Sequence, residues 1–336
     1  MITQNKSPAN HYSNKTFHST LVLITNHFPY NHGEAFIEHE IAYLAQAFSR
    51  IIIITREKNP VSLRKSTAKF DLHRINPKSN LLEKLLLPFL FISKARQARH
   101  FIRTEKKFLS HTGKKIGRNI IRIYLHDLSK ALVTAWHIQK ILRQHRVTGK
   151  VILYSYWMNS SSLALTFVKD KKLDIKTITR GHGSDIYEEL HPSGYLSFRP
   201  ALIKYLDAVF TISAFGKKYL SKYQHENDRN KIFVSRLGTS TLVPGNKKTN
   251  NGFLMVSCSN MIPLKRLDYI VEALEKTENI AISWIHVGEG PERKKIEALA
   301  QQKLSGRKNI SYTFMGQIPN SAIREFYASN HVDVFV

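Results

Sequence analysis

Val256-Ser257-Cys258-Ser259-Asn260-Met261-Ile262-Pro263-Leu264-Lys265-Arg266-Leu267-Asp268 decides how the rest of the chain is read. It begins as a buried strand, passes through a short loop with two adjacent cations, and ends at a helix start. Leu267, Ile270, Val271 and Leu274 recur at the spacing of one helical face. In a parallel sheet such a turn puts its loop at the carboxyl edge, where open α/β sheets bind ligands. Lys265 and Arg266 then sit beside the free backbone N–H groups of a helix start, a favourable place for a phosphate. Most lysines and arginines are simply solvated, so the turn needs company before it argues for a site.

The company follows at once. Ile280 to Val287 reads as a strand running into Gly288-Glu289-Gly290-Pro291, with a helix from about Arg293 to Gln302. Ile310 to Phe314 is a third strand, running into Met315-Gly316-Gln317-Ile318. Strand and helix alternate, with glycine at the strand ends, which is the pattern of a Rossmann-like unit.

This order of motifs resembles the donor domain of retaining, nucleotide-sugar-dependent glycosyltransferases of the GT-B fold, in the family 4-like (group 1) branch. That branch builds bacterial exopolysaccharide, capsule and lipopolysaccharide. The resemblance rests on Pro263-Leu264-Lys265, Gly288-Glu289-Gly290-Pro291 and Phe314-Met315-Gly316. It implies that Lys265 and Arg266 bind the donor diphosphate and act catalytically. It also implies that Gly288, Glu289 and Gly290 line the donor site, and that Phe314, Gly316, Gln317 and Ile318 meet the base. Many members of the family carry Arg five residues before the lysine; here that residue is Asn260, and Arg266 supplies the second cation.

At 336 residues the chain is long enough for two domains, each with its own core. A single cysteine, Cys258, excludes an internal disulfide and fits a reducing compartment. Residues 1–18 are polar and resemble no signal peptide. The formal charge of +26 is uneven: Arg56 to Lys150 holds 23 Lys and Arg against five Asp and Glu. Such a surface attracts polyanions, either nucleic acid or an anionic membrane. Leu85 to Ile92 is an apolar run of eight residues, too short for the roughly 20 that span a bilayer. Beside Lys94, Arg96, Arg99 and Arg103 it fits interfacial attachment, and equally a core helix with a solvated basic flank. The expected partner is the membrane and not nucleic acid, for which no binding module is present.

The first half opens with strand Leu21 to Thr25, a loop through His32, Gly33 and Glu34, a helix bearing Ile37, Ile41, Leu44 and Phe48, and strand Ile51 to Thr55. Gly33 allows close backbone approach, although a turn glycine without a ligand is common. Further strands are Val151 to Trp157, Ile175 to Thr179, Ala208 to Ser213 and Lys231 to Ser235. Arg180-Gly181-His182-Gly183-Ser184-Asp185 puts an imidazole between glycines at a strand end. A lone histidine is more often structural, and Asp185 is as well suited to capping as to holding a hydroxyl. The resemblance implies Gly33 at the donor phosphate, His182 as a catalytic residue near the transferred sugar, and His32, Glu34 and Asp185 on the acceptor side.

The expectation is therefore α/β, a GT-B fold of two Rossmann-like domains facing a cleft, the second incomplete. Residues 1–16 form a polar tail, 17–243 an acceptor-side domain, 244–252 a linker and 253–336 a donor-nucleotide domain. The resemblance implies an acidic Glu-x7-Glu motif beyond Val336, so the sequence reads as C-terminally truncated. The expected activity is hexosyl transfer, with retention, from a nucleotide sugar to a lipid-linked or polysaccharide acceptor. It would proceed at the inner face of the cytoplasmic membrane, without metal or cofactor. The rival expectation is an inactive fragment that binds membrane or acceptor as a scaffold.

Overall fold

A computed structural model of the chain describes residues 17–31, 34–64, 66, 68–76, 80–113, 116–224, 230–238 and 252–336. It divides into two compact units, Met1–Thr239 and Ser240–Val336. The tail at 1–16, the linker at 244–251, and His32 and Gly33 lie outside the described residues.

The first unit is built on a parallel sheet. In chain order its elements are β1 (Phe17–Thr25), α1 (Ile37–Ala47), β2 (Phe48–Thr55), β3 (Asp71–Arg74), α2 (Leu81–Ser93), α3 (Ala95–His111) and α4 (Arg118–Gln144). There follow β4 (Gly149–Ser155), α5 (Ser160–Phe167), β5 (Leu173–Gly181), α6 (Arg199–Tyr205), β6 (Ala208–Thr211), α7 (Ala214–Ser221) and β7 (Ile232–Val234). The strand order is β3-β2-β1-β4-β5-β6-β7.

Burial on both faces explains why β1 and β2 read as unbroken apolar runs. Alternate residues point to opposite faces. Leu21, Leu23, Ile51 and Ile53 pack with Ile37 and Ile41 of α1. Val22, Ile24, Ile52 and Ile54 join the larger cluster supplied by α3, α4, α5 and α6. The register pairs Thr25 with Thr55, Ser155 with Thr179 and Gly181 with Thr211, so these strand ends share one edge. Strand β1 lies between β2 and β4, and the order reverses there, where α/β sheets open a crevice for ligands.

The basic region of the sequence is largely helical. Its longest helix, α4, buries Tyr124, Leu128, Ala131, Leu132, Ala135, Ile138 and Leu142, a stripe at helical spacing. Helix α2 is the unusual element. Asn80 and Glu83 form a reciprocal capping box at its start, and Glu83 is its one buried residue. Leu81, Leu82, Leu85, Phe89 and Ile92 are all more than half exposed. Four of these, Leu81, Leu85, Phe89 and Ile92, recur on successive turns of one side. Leu90 and Phe91 pack on the core, so α2 has an inner apolar side and an outer one.

The second unit runs β8 (Phe253–Cys258), α8 (Leu267–Glu275), β9 (Ile282–Val287), α9 (Arg293–Leu304), β10 (Ile310–Gly316), α10 (Asn320–Ser329) and β11 (Val334–Phe335). Its sheet order is β10-β9-β8-β11, all parallel. Val271, Leu274, Ile296 and Leu304 from the helices close over Trp284, which is fully buried and meets Phe314 edge-on at 5.3 Å. Among the described residues no helix is long and apolar enough to cross a membrane.

Candidate functional site

In the second unit three loops meet at the carboxyl edge and are fastened by their own backbones. Ser259 donates to Val287 O (3.0 Å), Met261 to Glu289 O (2.9 Å) and Gly288 to Gly316 O (2.9 Å), while Glu292 donates to Met261 O (3.0 Å). Such proximity dictates the glycines. A Cβ at Gly288, whose φ is +151°, would lie 1.9 Å from Ser259 O; one at Gly290 would lie 2.4 Å from Met261 O. Both obstacles are backbone, so neither can swing aside. The Gly-Glu-Gly pattern is therefore explained first by the joining of two loops.

The buried floor beneath this edge is polar. The Ser257 hydroxyl accepts from the Trp284 indole (2.9 Å) and bonds His286 Nδ1 at 2.8 Å. His286 is fully buried, and burial lowers its pKa by disfavouring the charged ring. Its Nε2 has no hydrogen-bond partner among the described residues.

On this edge the two cations of the sequence differ. Pro263–Lys265 forms a 3-10 turn, and Arg266 follows in the left-handed region at φ 47° as the N-cap of α8. The Arg266 guanidinium pairs with Asp268 (2.9 Å) and lies 3.5 Å over the Tyr269 ring. That pairing raises the pKa of Arg266 and lowers that of Asp268. Lys265 is exposed, and its ammonium makes no hydrogen bond or ion pair among the described residues. Glu289 pairs with Arg293, which also reaches Glu297 (2.7 Å) and the Phe314 carbonyl (3.5 Å). Gly316 has φ +72° and closes the edge, with Gln317 exposed and Ile318 half-buried just beyond β10. The Phe314 ring packs against the core.

In the first unit the strand ends carry a denser set. Glu34 is buried, with φ 59°. Its carboxylate accepts the backbone N–H groups of Asn26 (3.0 Å), His27 (2.7 Å) and Phe28 (2.6 Å), and also the Trp157 indole N–H. It thus holds the β1–α1 loop from within. His182 is boxed by Phe36, Tyr156 and Trp157, with ring centroids 5.6, 5.3 and 4.4 Å away. Both of its ring nitrogens are buried without a hydrogen-bond partner among the described residues. Asp185 accepts the backbone N–H groups of His182 (2.7 Å) and Met158 (2.9 Å), the capping role its residue type allows, and lies 3.6 Å from His182 Nδ1.

Arg199, three per cent exposed, donates to Asp185 O (2.7 Å) and Ser197 O (3.2 Å). It ties the histidine loop to α6, and its sequence neighbourhood, Phe198-Arg199-Pro200, carries no chemical signal of that work. Arg180 likewise joins Glu40 (2.8 Å) and the Tyr156 hydroxyl (3.2 Å). Beside this cluster runs a groove of about 1010 Å³, walled by the ends of β1 and β2, the first half of α4 and residues 191–199. Sequence reading missed the groove, because it is assembled from residues far apart in the chain: Asn26, Arg56, Lys130, Trp157 and Arg199.

Two parallel α/β units with ligand-edge loops of this kind are the components of a GT-B fold. The chain matches no protein-family model and no curated protein. Among solved structures it is similar to the apo form of the lipopolysaccharide outer core galactosyltransferase WaaB: 12% identity, TM-score 0.55, 94% of this chain and 73% of that one. TarM of S. aureus, in complex with fondaparinux, α-GlcNAc-glycerol and UDP, aligns at 16% identity and TM-score 0.41, over 56% of this chain and 36% of TarM. Anabaena HepE, in complex with UDP and glucose, aligns at 12% identity and TM-score 0.49, over 92% of this chain and 72% of HepE. At these identities the WaaB likeness establishes the fold and leaves the chemistry to the site.

Proposed function

We propose that the chain is a glycosyltransferase of the group 1, family 4-like kind. It would bind a nucleotide sugar at the carboxyl edge of the second unit and pass the sugar to a lipid-linked or polysaccharide acceptor held by the first. The observation that carries the reading is the fastened edge itself. Ser259–Met261, Gly288–Gly290 and Gly316 meet through backbone contacts and leave Lys265 as an unpaired cation beside a helix start whose N-cap makes no side-chain cap. Sugar transfer requires a diphosphate to leave with growing negative charge. A fixed cation beside free N–H groups stabilises that charge more than the ground state. Lys265 is the group with its charge available for this, whereas Arg266 must first give up Asp268. The resemblance puts His182 near the transferred sugar, although its ring nitrogens are buried in the aromatic box. Retention of anomeric configuration and a role in surface polysaccharide synthesis follow from the resemblance of the motifs.

The apolar outer side of α2, flanked by exposed Lys84, Arg96, Arg99 and Arg103, supports docking on an anionic membrane, where a lipid-linked acceptor resides. The reaction so proposed uses no metal and no cofactor.

The test is calorimetric titration of the full chain with nucleoside diphosphates, followed by transfer assays with a panel of nucleotide sugars and membrane-extracted acceptors. Lys265→Ala should weaken diphosphate binding about tenfold or more, and Arg266→Ala should weaken it less. Equal affinity in Lys265→Ala and the parent would remove the phosphate assignment. Binding without turnover on any acceptor would favour the scaffold reading.

A further inference from the structure

The groove of the first unit is lined by charges that do not cancel locally. Its acids are already engaged. Glu57 bonds His27 Nδ1 (2.6 Å) and the backbone N–H of Asn59 (2.8 Å). Asp127 accepts from the Ser197 hydroxyl and lies 3.3 Å from His126, and Asp185 caps backbone N–H groups. The cations are not so engaged. The Arg56 guanidinium reaches only the hydroxyls of Ser160 (3.3 Å) and Ser161 (3.2 Å), and the Lys130 ammonium makes no hydrogen bond among the described residues. Neither forms an ion pair there, and Arg199 gives its guanidinium to two carbonyls.

Burial lowers the pKa of Arg56; burial first, and Arg56 next, lower that of Lys130. The two cations therefore repel each other in a partly dehydrated groove, with Asp127 as the carboxylate facing both. One carboxylate, itself engaged by Ser197, offsets only part of this repulsion, and an arriving anion would relieve the rest. The Ser160 hydroxyl beside Arg56, at the start of α5, lines the groove and adds a neutral donor suited to phosphoryl oxygens. A sugar hydroxyl alone would leave two cations, Arg56 and Lys130, facing the single carboxylate of Asp127.

We propose that this groove is a phosphoryl-binding site in which Arg56 and Lys130 hold the phosphate or diphosphate of the acceptor. The site deepens the function proposed above and rests on it only in assigning the phosphate to the acceptor. Arg56 forms a charge-assisted contact from the end of β2, and Lys130 closes from α4. Helix α4 also exposes Ile121 and Leu125, so an apolar surface lies on the helix that supplies Lys130.

Calorimetry in a Lys265→Ala background, which silences the phosphate edge of the second unit, tests the site directly. Probes are inorganic pyrophosphate, glucose 1-phosphate and dihexanoyl phosphatidate, with glucose as the phosphate-free control. The phosphoryl probes should bind and glucose should not. Adding Arg56→Gln and Lys130→Gln should weaken the binding at least tenfold, whereas Arg56→Lys should keep most of it. Preference for glucose 1-phosphate or for phosphatidate identifies a sugar or a lipid as the carrier, and either supports a phosphoryl site. Undiminished binding in the double Gln variant at a parental melting temperature overturns the proposal, as does failure of every phosphoryl probe. Nucleoside diphosphate binding by the chain with Lys265 intact should survive the double Gln change. Its loss in Lys265→Ala alone reports on the donor reading separately.

Discussion

Replacing Glu34 with alanine should be among the most damaging single changes in the first unit, although the residue stands in a loop. The carboxylate accepts three backbone N–H groups and an indole N–H. The bond from Phe28 N–H is buried, and an orphaned donor there costs about 2 to 3 kcal/mol. The other three donors are part-buried. Water can replace some of the lost bonding, so about 1 kcal/mol each is a fair measure. The sum is about 5 to 6 kcal/mol, a large share of the ~5–15 kcal/mol that a typical domain has. With a urea slope of about 2 to 3 kcal/mol per molar, the unfolding midpoint of this unit should drop by about 2 M. The assay is urea unfolding followed by tryptophan emission. Glu34→Gly should be milder than Glu34→Ala, because it releases the strain of φ 59°. A midpoint for Glu34→Ala within a few tenths of a molar of the parent would refute the reasoning, and would mean that water serves the loop as well as the carboxylate does.

A pH effect should arise at Glu105, where burial pushes the carboxyl up to about 7 from its ordinary 4.5. The folded protein keeps a proton that the unfolded chain releases. The stabilisation is therefore complete below about 4.5 and is lost as pH rises through 7, by about 3 kcal/mol at most; Glu105→Gln should flatten urea midpoints measured between pH 5 and 8, and an unchanged slope would count against it. Gly290→Ala should destabilise the second unit by about 1 to 3 kcal/mol and abolish nucleoside diphosphate binding, because its Cβ would meet the Met261 backbone at 2.4 Å; thermal melting and calorimetry check both, and parental values in each would show that the loop has room. Co-sedimentation with anionic liposomes should be strong at low salt and weak at high salt, and Leu85→Glu with Phe89→Glu should lose it, whereas equal binding by the variant would show that the outer side of α2 is not the docking face.

The sheets were legible because their strands are apolar runs bounded by turn residues, and the runs at Leu21, Ile51 and Val256 fall on β1, β2 and β8. Charge dominates the sequence of the basic region and masks helices α3 and α4, although Tyr124, Leu128, Ala131 and Ala135 carry the helical period. The short strand β3 has no such run, and it forms because β2 offers an edge. At the candidate site the glycines were legible as residue types and not as contacts. Only the fold brings Gly288 against Ser259 and Gly290 against Met261. Arg56 and Lys130 were invisible as a pair because no local pattern links residues so far apart in the chain. Leu81 to Ile92 left two readings open in the sequence, and burial shows one side of α2 on the core and the other bare.

If the proposed donor site is correct, the backbone joining of Ser259–Met261 to Val287–Gly290 bears on how quickly its ligand is caught. A loop that is ordered before its ligand arrives loses little conformational entropy on binding. Association should then be governed by encounter, with no slow closing step on this edge, and the heat-capacity change should reflect only the surface the ligand covers. The same arrangement sets which residues can drift over evolutionary time. Gly288 and Gly290 are confined by the main chain opposite, while Glu289 between them points outward to Arg293 and is free to vary with that partner. Selectivity for one donor over another would accordingly be written in the side chains that decorate this edge, and hardly at all in its path.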